Sequence, residues 1–273
     1  MKKILLILLV IIGGCYAIKE ETDVIRIKGS DTMRPLTENL AREFMRLNGN
    51  VSIYVLGGGT STGIESLING KVEISTASRL LKPGEQKLLS NYYQSVGMYF
   101  LVAKDGLSVY VNLNNPVENV SLDQLRKIYN CEITNWKQLG GNDAEIDVII
   151  RTPNSGTHYY FKEHVMNGEE YCGDLTVKSS IDDIIDAIAK DKNAIGFGGI
   201  GYSGNVKHLK INDVYPSEEN VLNDTYPISR YLHFFTTRSP SGNVRKFIDW
   251  VMGSEGQEII RSSGYIPLFD KSY

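Results

Sequence analysis

The stretch Val24-Ile25-Arg26-Ile27-Lys28-Gly29-Ser30-Asp31-Thr32-Met33-Arg34-Pro35-Leu36 decides the fold. Val24 to Ile27 reads as a strand of β-branched residues. Gly29 to Thr32 reads as a turn. Leu36, Leu40, Phe44 and Leu47 then recur at helical spacing, with Glu38, Arg42, Glu43 and Arg46 opposite them. Two further stretches share this strand, Gly- and hydroxyl-rich turn, helix design. They are Gly57-Gly58-Gly59-Thr60-Ser61-Thr62-Gly63 and Arg151-Thr152-Pro153-Asn154-Ser155-Gly156-Thr157. A helix N-terminus exposes unpaired N–H groups and the positive end of the dipole, which together favour an anion. Glycine lets backbone approach closely, hydroxyls add rotatable donors, and Arg151 can grip an oxyanion with two N–H groups. Ser75-Thr76-Ala77-Ser78-Arg79 follows another short apolar run and carries the same chemistry.

Outward from these turns the chain alternates strand and helix. Val51 to Leu56, Val72 to Ser75, Met98 to Ala103, Leu107 to Asn112, Ile146 to Ile150, Ala194 to Gly198 and Tyr231 to Thr236 read as strands. Lys104-Asp105-Gly106 reads as a break between two of them. Ser121-Leu122-Asp123-Gln124 is a capping box opening a helix. Ile181, Ile184, Ile185 and Ile188 line one face of another helix, and Val244 to Met252 and Gly256 to Arg261 are helices near the end. No internal period repeats, so the chain is no solenoid. The alternation predicts α/β sheets covered by helices on both faces. The late return to strand and helix predicts two lobes joined by more than one crossover.

The chain has 273 residues, enough for two domains. Its first residues differ from the rest. Lys2 and Lys3 precede nine aliphatic residues, Ile4 to Ile12, and then Gly13-Gly14-Cys15. This is the pattern of a secretory signal, and nine residues are too few to span a bilayer as a helix. Ile12-Gly13-Gly14-Cys15 also resembles a bacterial lipobox, which implies diacylation of Cys15 and a tether over residues 16–23. Several acyl chains anchor a protein stably to a membrane. Formal charge is −3 and becomes more negative once the two lysines leave, so nucleic acid is not an expected partner. Cys131 and Cys172 remain and could pair in an oxidising compartment.

Motifs for other chemistry fail on inspection. Gly58 and Gly63 have P-loop spacing, but Ile64 and Glu65 stand where Lys and Ser/Thr are needed. Gly196-Phe197-Gly198-Gly199-Ile200-Gly201 has dinucleotide spacing but runs into the turn Tyr202-Ser203-Gly204-Asn205. Ser155 and His158 have no third orienting group and no nucleophile elbow. His164, His208 and His233 are scattered, with no metal-ligand spacing. Neither an enzyme, a metal nor a cofactor is expected.

These segments, in this order, resemble the PstS-type phosphate-binding proteins of bacterial phosphate ABC importers. The resemblance runs from about Val24 to Leu268. It adds Ile133-Thr134-Asn135-Trp136, Tyr226-Pro227-Ile228-Ser229-Arg230 and Gly264-Tyr265-Ile266-Pro267-Leu268 to the turns above. It implies an α/β, two-lobed type II periplasmic-binding-protein fold with a ligand cleft between the lobes. Lobe one would hold residues 22–107 and 227–273, and lobe two residues 108–226. It implies capture of inorganic phosphate outside the cell and delivery to membrane permease and ATPase subunits. Ser30, Thr32 and the Met33 N–H would donate from the first helix start and Thr60 from the second. Arg151, Ser155, Gly156 and Thr157 would close from the opposite lobe, with Ser78 and Arg79 alongside. The resemblance departs at two positions. Many members carry an Asp where Ser78 stands, which accepts the proton of monohydrogen phosphate. Here Asp31 is the expected substitute acceptor, or Arg79 an added positive charge. Pro153 replaces an Asp that in some members pairs with the arginine matching Arg151. The same cleft would also suit sulfate, molybdate or tungstate, and a lipid-anchored surface protein could serve adhesion or sensing.

Overall fold

Strand, turn and helix do alternate through the first half of the protein. A computed structural model describes residues 23–269, except 174 and 203. The expected export signal, Cys15 and residues 16–22 of the tether lie outside the described residues. The order is β1 (Asp23–Gly29), α1 (Arg34–Leu47), β2 (Val51–Leu56), α2 (Thr60–Ile68), β3 (Ile74–Ala77), α3 (Pro83–Tyr93) and the long β4 (Met98–Asn112). It continues with β5 (Asn119–Val120), α4 (Leu122–Tyr129), β6 (Asp147–Arg151), α5 (Gly156–His164), β7 (Thr176–Lys178) and α6 (Ile181–Lys190). β8 (Ala194–Gly199), β9 (Val206–His208), β10 (Lys210–Ile211), α7 (Glu218–Leu222), β11 (Ser229–Thr236), α8 (Gly242–Met252) and α9 (Ser254–Ser262) complete it.

One path of strands runs β2-β1-β3-β11-β4-β8-β6-β7, with β9 pairing the end of β4. The break expected at Lys104-Asp105-Gly106 does not occur. β4 is a single strand of 15 residues. Its first part pairs antiparallel with β11, and from Leu107 onward it pairs with β8. It therefore belongs to both lobes. Two polar residues inside it mimic a turn in sequence, yet each has a partner. Lys104 Nζ meets Asp224 Oδ1 at 2.5 Å, and Asp105 pairs with Arg230.

Each lobe buries both faces of its part of the sheet. In lobe one, Ile25 and Ile27 pack with Leu36, Leu40 and Phe44 of α1 and with Phe247 and Ile248 of α8. The other face carries Ile64, Leu67, Leu89 and Phe235. Leu47, the last residue of the α1 stripe, is half exposed because the helix ends there. In lobe two, the four isoleucines of α6 cover one face, and Leu125, Phe161 and Phe197 fill the other. Each such side chain contributes about 1.5–3 kcal/mol on burial. The capping box of α4 forms as read. Gln124 N donates to Ser121 Oγ at 3.0 Å, and Ser121 N donates to Gln124 Oε1 at 2.8 Å. Cys131 and Cys172 form a disulfide with Cα atoms 5.8 Å apart. It ties the end of α4 to the segment before β7, a cross-link that typically adds about 2–4 kcal/mol. No described helix is long and apolar enough to cross a membrane.

Three imidazoles are drawn into these cores, His233 buried and His158 and His208 half-buried. Burial lowers His158 and His208, and brings His233 down to about 4. Below about pH 6.5 the unfolded chain takes up protons that the folded protein refuses. The unfolded state then binds more protons, so stability rises with pH across that window. The denaturant midpoint is predicted to fall steadily from about pH 6.5 to about pH 4. A midpoint that stays level over that range would contradict the burial of these rings.

Candidate anion-binding site

Four turns meet where the lobes face each other. A short 3-10 turn, Asp31–Met33, leads into α1, and Gly59 at φ 93° opens α2. That φ lies in the left-handed region that glycine tolerates. From lobe two, Ser155 caps α5, its Oγ accepting from Thr157 N at 3.2 Å and His158 N at 3.3 Å. The fourth turn, after β3, carries Ser78 and Arg79. All ten residues expected at the site are buried.

The structure brings most of them together. Thr32 Oγ1 and Thr157 Oγ1 lie 2.8 Å apart across the cleft. Ser78 N donates to Thr60 Oγ1 at 3.3 Å, and the two hydroxyl oxygens are 3.4 Å apart. Gly156 sits against this pair. Arg151 is 1% exposed, and its Nη2 donates to Asp31 Oδ2 at 2.7 Å and to Ser179 O at 2.8 Å. Its Nε and Nη1 are buried with no hydrogen-bond partner among the described residues. A guanidinium with two unspent donors at the meeting of three helix starts is built to receive oxygen atoms.

Other expectations land differently. The Met33 N–H donates to Ser30 O at 3.0 Å, closing the turn. Arg79 holds Glu85 with two N–H groups, at 2.7 and 2.8 Å, and donates to Ser61 Oγ at 3.1 Å. It braces the start of α2. Asp31 accepts from Gly58 N on one oxygen and from Arg151 on the other. It takes the pairing role that Pro153 cannot supply.

Sequence reasoning passed over Asp105 and Arg230. Both are buried, and Arg230 Nε and Nη2 donate to Asp105 Oδ2 at 3.0 and 2.9 Å. Arg230 Nη2 also donates to Thr157 Oγ1 at 3.1 Å. Burial pushes the Asp105 carboxyl upward, and Arg230 pulls it back. The available signal was an acid within an otherwise apolar strand. Asn154 was missed as a bridge. Its Nδ2 donates to Gly58 O at 2.9 Å, and its O accepts from Ser61 N at 3.1 Å. Tyr202 donates to Asp31 O at 2.6 Å, and Tyr265 donates to Thr32 O. The lobes are closed on each other.

A methyl group at Gly156 would stand 2.4 Å from Thr60 Oγ1 and 2.5 Å from Ser78 Oγ. Overpacking of this kind costs about 1–3 kcal/mol. Gly156→Ala is predicted to weaken anion binding about tenfold by holding the lobes apart. Titration calorimetry measures this, and native affinity would show that closure does not bring these groups together.

The chain is similar to known proteins over most of its length. Residues 18–255 match the PBP superfamily domain. The phosphate-binding protein PstS of Bacillus subtilis is 32% identical over 250 residues, covering 89% of this chain and 80% of that protein. Protein SphX of Synechococcus elongatus is 31% identical over 266 residues, covering 90% and 77%. Among solved structures, a phosphate ABC transporter substrate-binding protein from Clostridium perfringens with bound phosphate superposes with a TM-score of 0.84. It is 33% identical, covering 90% of this chain and all of that one. An ABC-type phosphate transport receptor from Vibrio cholerae gives 0.72 at 30% identity, covering 89% and 99%. The chain therefore belongs to the PBP superfamily and, within it, to the PstS family of phosphate-binding proteins.

Proposed function

We propose that this protein captures inorganic phosphate outside the cytoplasmic membrane and hands it to the permease and ATPase subunits of an ABC importer. The observation that carries this reading is Arg151, buried, with Nε and Nη1 unpartnered among the described residues where three helices begin. Ser30, Thr32, Thr60, Ser78 and Thr157 supply hydroxyls around it, and Ser155, Gly156 and Thr157 present the start of α5. Arg79 and Met33 act by shaping the turns. Hydrogen bonds to a charged group contribute about 1.5–3 kcal/mol each. Five or six reach the roughly −8 kcal/mol of micromolar binding after ordering costs. Lobe one is taken as residues 22–107 with 227–273, and lobe two as 108–226. Val102 and Ala103 in the first part of β4 pack into one core and Leu107, Val109 and Val111 in its second part into another, which supports that division. The leader ending at Cys15 supports export and a lipid anchor.

A second reading keeps the fold and changes the ion. Every carboxylate oxygen of Asp31 and Asp105 already accepts a hydrogen bond. The site therefore makes no clear demand for a proton on its ligand, which also suits sulfate or molybdate.

Calorimetric titration with phosphate, sulfate and molybdate separates the two. Phosphate is expected to bind most tightly, and tighter sulfate binding would overturn the assignment. Arg151→Ala is expected to lower phosphate affinity at least about a hundredfold, the loss of a buried charge-assisted contact. Near-native affinity in that variant would remove Arg151 from the site.

A further inference from the structure

Arg151 is the cation on which the anion site is built, yet its guanidinium carries a carboxylate. Asp31 Oδ2 accepts from Arg151 Nη2 at 2.7 Å. By charge alone this is the wrong group to keep there, because a carboxylate beside a bound anion repels it. Asp31 is nevertheless mostly buried with the arginine, its side chain 13% exposed.

We propose that Asp31 is a positioning residue: it takes no part of the ligand, and it raises anion affinity by fixing the directions in which Arg151 presents its two unpartnered nitrogens. The inference rests on the phosphate-binding reading above and adds a residue to it. It also replaces the expectation that Asp31 accepts a proton from the ligand.

Three observations support it. The first is the geometry of the guanidinium. Nη2 has two N–H groups, and both are spent, one on Asp31 Oδ2 and one on Ser179 O at 2.8 Å. The group is planar, so two acceptors on one nitrogen fix the plane and with it the aim of Nε and Nη1. Those two atoms are buried and have no partner among the described residues. Ser179 O alone would leave the plane free to turn about a single contact. Asp31 is the one carboxylate paired with Arg151 among the described residues. Pro153, two residues along the arginine's own loop, has no acceptor in its side chain.

The second is that the carboxylate is itself held. Its Oδ1 accepts from Gly58 N at 2.8 Å, and the main-chain oxygen of Asp31 accepts from the Tyr202 hydroxyl at 2.6 Å. Gly57 packs so closely that a Cβ there would stand 2.4 Å from Oδ1. The carboxylate is aimed at Arg151 and is not free to follow a ligand.

The third is where the pair lies. Asp31 belongs to the turn before α1 in lobe one, and Arg151 ends β6 in lobe two. Gly58 N serves Asp31, while Gly58 O accepts from Asn154 Nδ2 at 2.9 Å. One turn of lobe one therefore grips the arginine's loop through Asn154 and the arginine's tip through Asp31. The seat of the loop and the aim of the guanidinium are set together.

Titration calorimetry of the whole protein with inorganic phosphate tests this in a double-substitution cycle. Asp31→Ala is expected to weaken phosphate binding about tenfold, as for one hydrogen bond to a charged group, although it removes a negative charge from the site. A lysine presents a point charge with no plane to aim. In an Arg151→Lys background, Asp31→Ala is therefore expected to leave affinity level or to raise it. Unchanged or tighter phosphate binding in Asp31→Ala alone overturns the proposal. An equal loss in both backgrounds also overturns it, because Asp31 then acts on the turn and not through the arginine. NMR of isotope-labelled arginine in the phosphate-bound protein reads the aim directly. The Arg151 Nη protons are expected to give separate, slowly exchanging signals in the native protein and merged signals in Asp31→Ala; separate signals in both overturn the proposal. That spectrum decides the matter should Arg151→Lys bind no phosphate. Asp31→Asn, which keeps the shape of the side chain, replaces Asp31→Ala should that variant not fold. Failure of the native protein to bind phosphate instead removes the reading beneath it.

Discussion

The buried pair between Asp105 and Arg230 is the constraint on which the rest of this molecule hangs. The two residues are register partners on β4 and β11, the strands that join the lobes. Their side chains are almost wholly removed from water. Breaking such a pair leaves an uncompensated charge, at a typical cost of about 3–5 kcal/mol. It therefore holds the two connecting strands in one arrangement. Arg230 also spends an N–H on Thr157 from the opposite lobe. Strand pairing, lobe closure and the anion site are thus fixed by one guanidinium.

That pair is one of three. Arg151 with Asp31 and Arg79 with Glu85 repeat the design, each arginine near the cleft meeting a carboxylate. The cleft has no large excess of positive charge. A ligand's charge is met by hydroxyls, helix starts and the spare N–H groups of Arg151. Such groups are oriented before the ligand arrives and act at short range, which favours geometry over simple charge. The mildly acidic composition of the chain is consistent with this.

Much of this was legible in the sequence, and the failures have physical reasons. The strand, turn, helix design at Gly29, Gly57 and Arg151 is local, so each turn could be read from its own residues. The periodicity of α1 and α6 is equally local. The buried status of Asp105 is not. Lys104-Asp105-Gly106 has the composition of a turn, and only the partners Asp224 and Arg230, more than a hundred residues away, keep it in a strand. Arg79 looked like a ligand because nothing nearby in β3 pairs with it. Glu85 lies one turn into α3, and only the path of the intervening loop brings it back. Asn154 reads as a turn former and is one, yet its second use depends on α2 lying opposite.

The bridging asparagine has a consequence in time as well as in space. Its amide and carbonyl join the two lobes away from Arg151, at Gly58 and Ser61, and its Nδ2 also reaches Thr62 Oγ1 at 3.3 Å. These bonds exist only when the lobes are shut, and they ask nothing of the ligand's chemistry. Their contribution falls on the dissociation rate, because the cleft must open before its contents leave. Residence time and selectivity are thereby separated onto different residues. A membrane partner that spreads the start of α2 from the start of α5 would unload the protein without touching the residues that recognise the cargo.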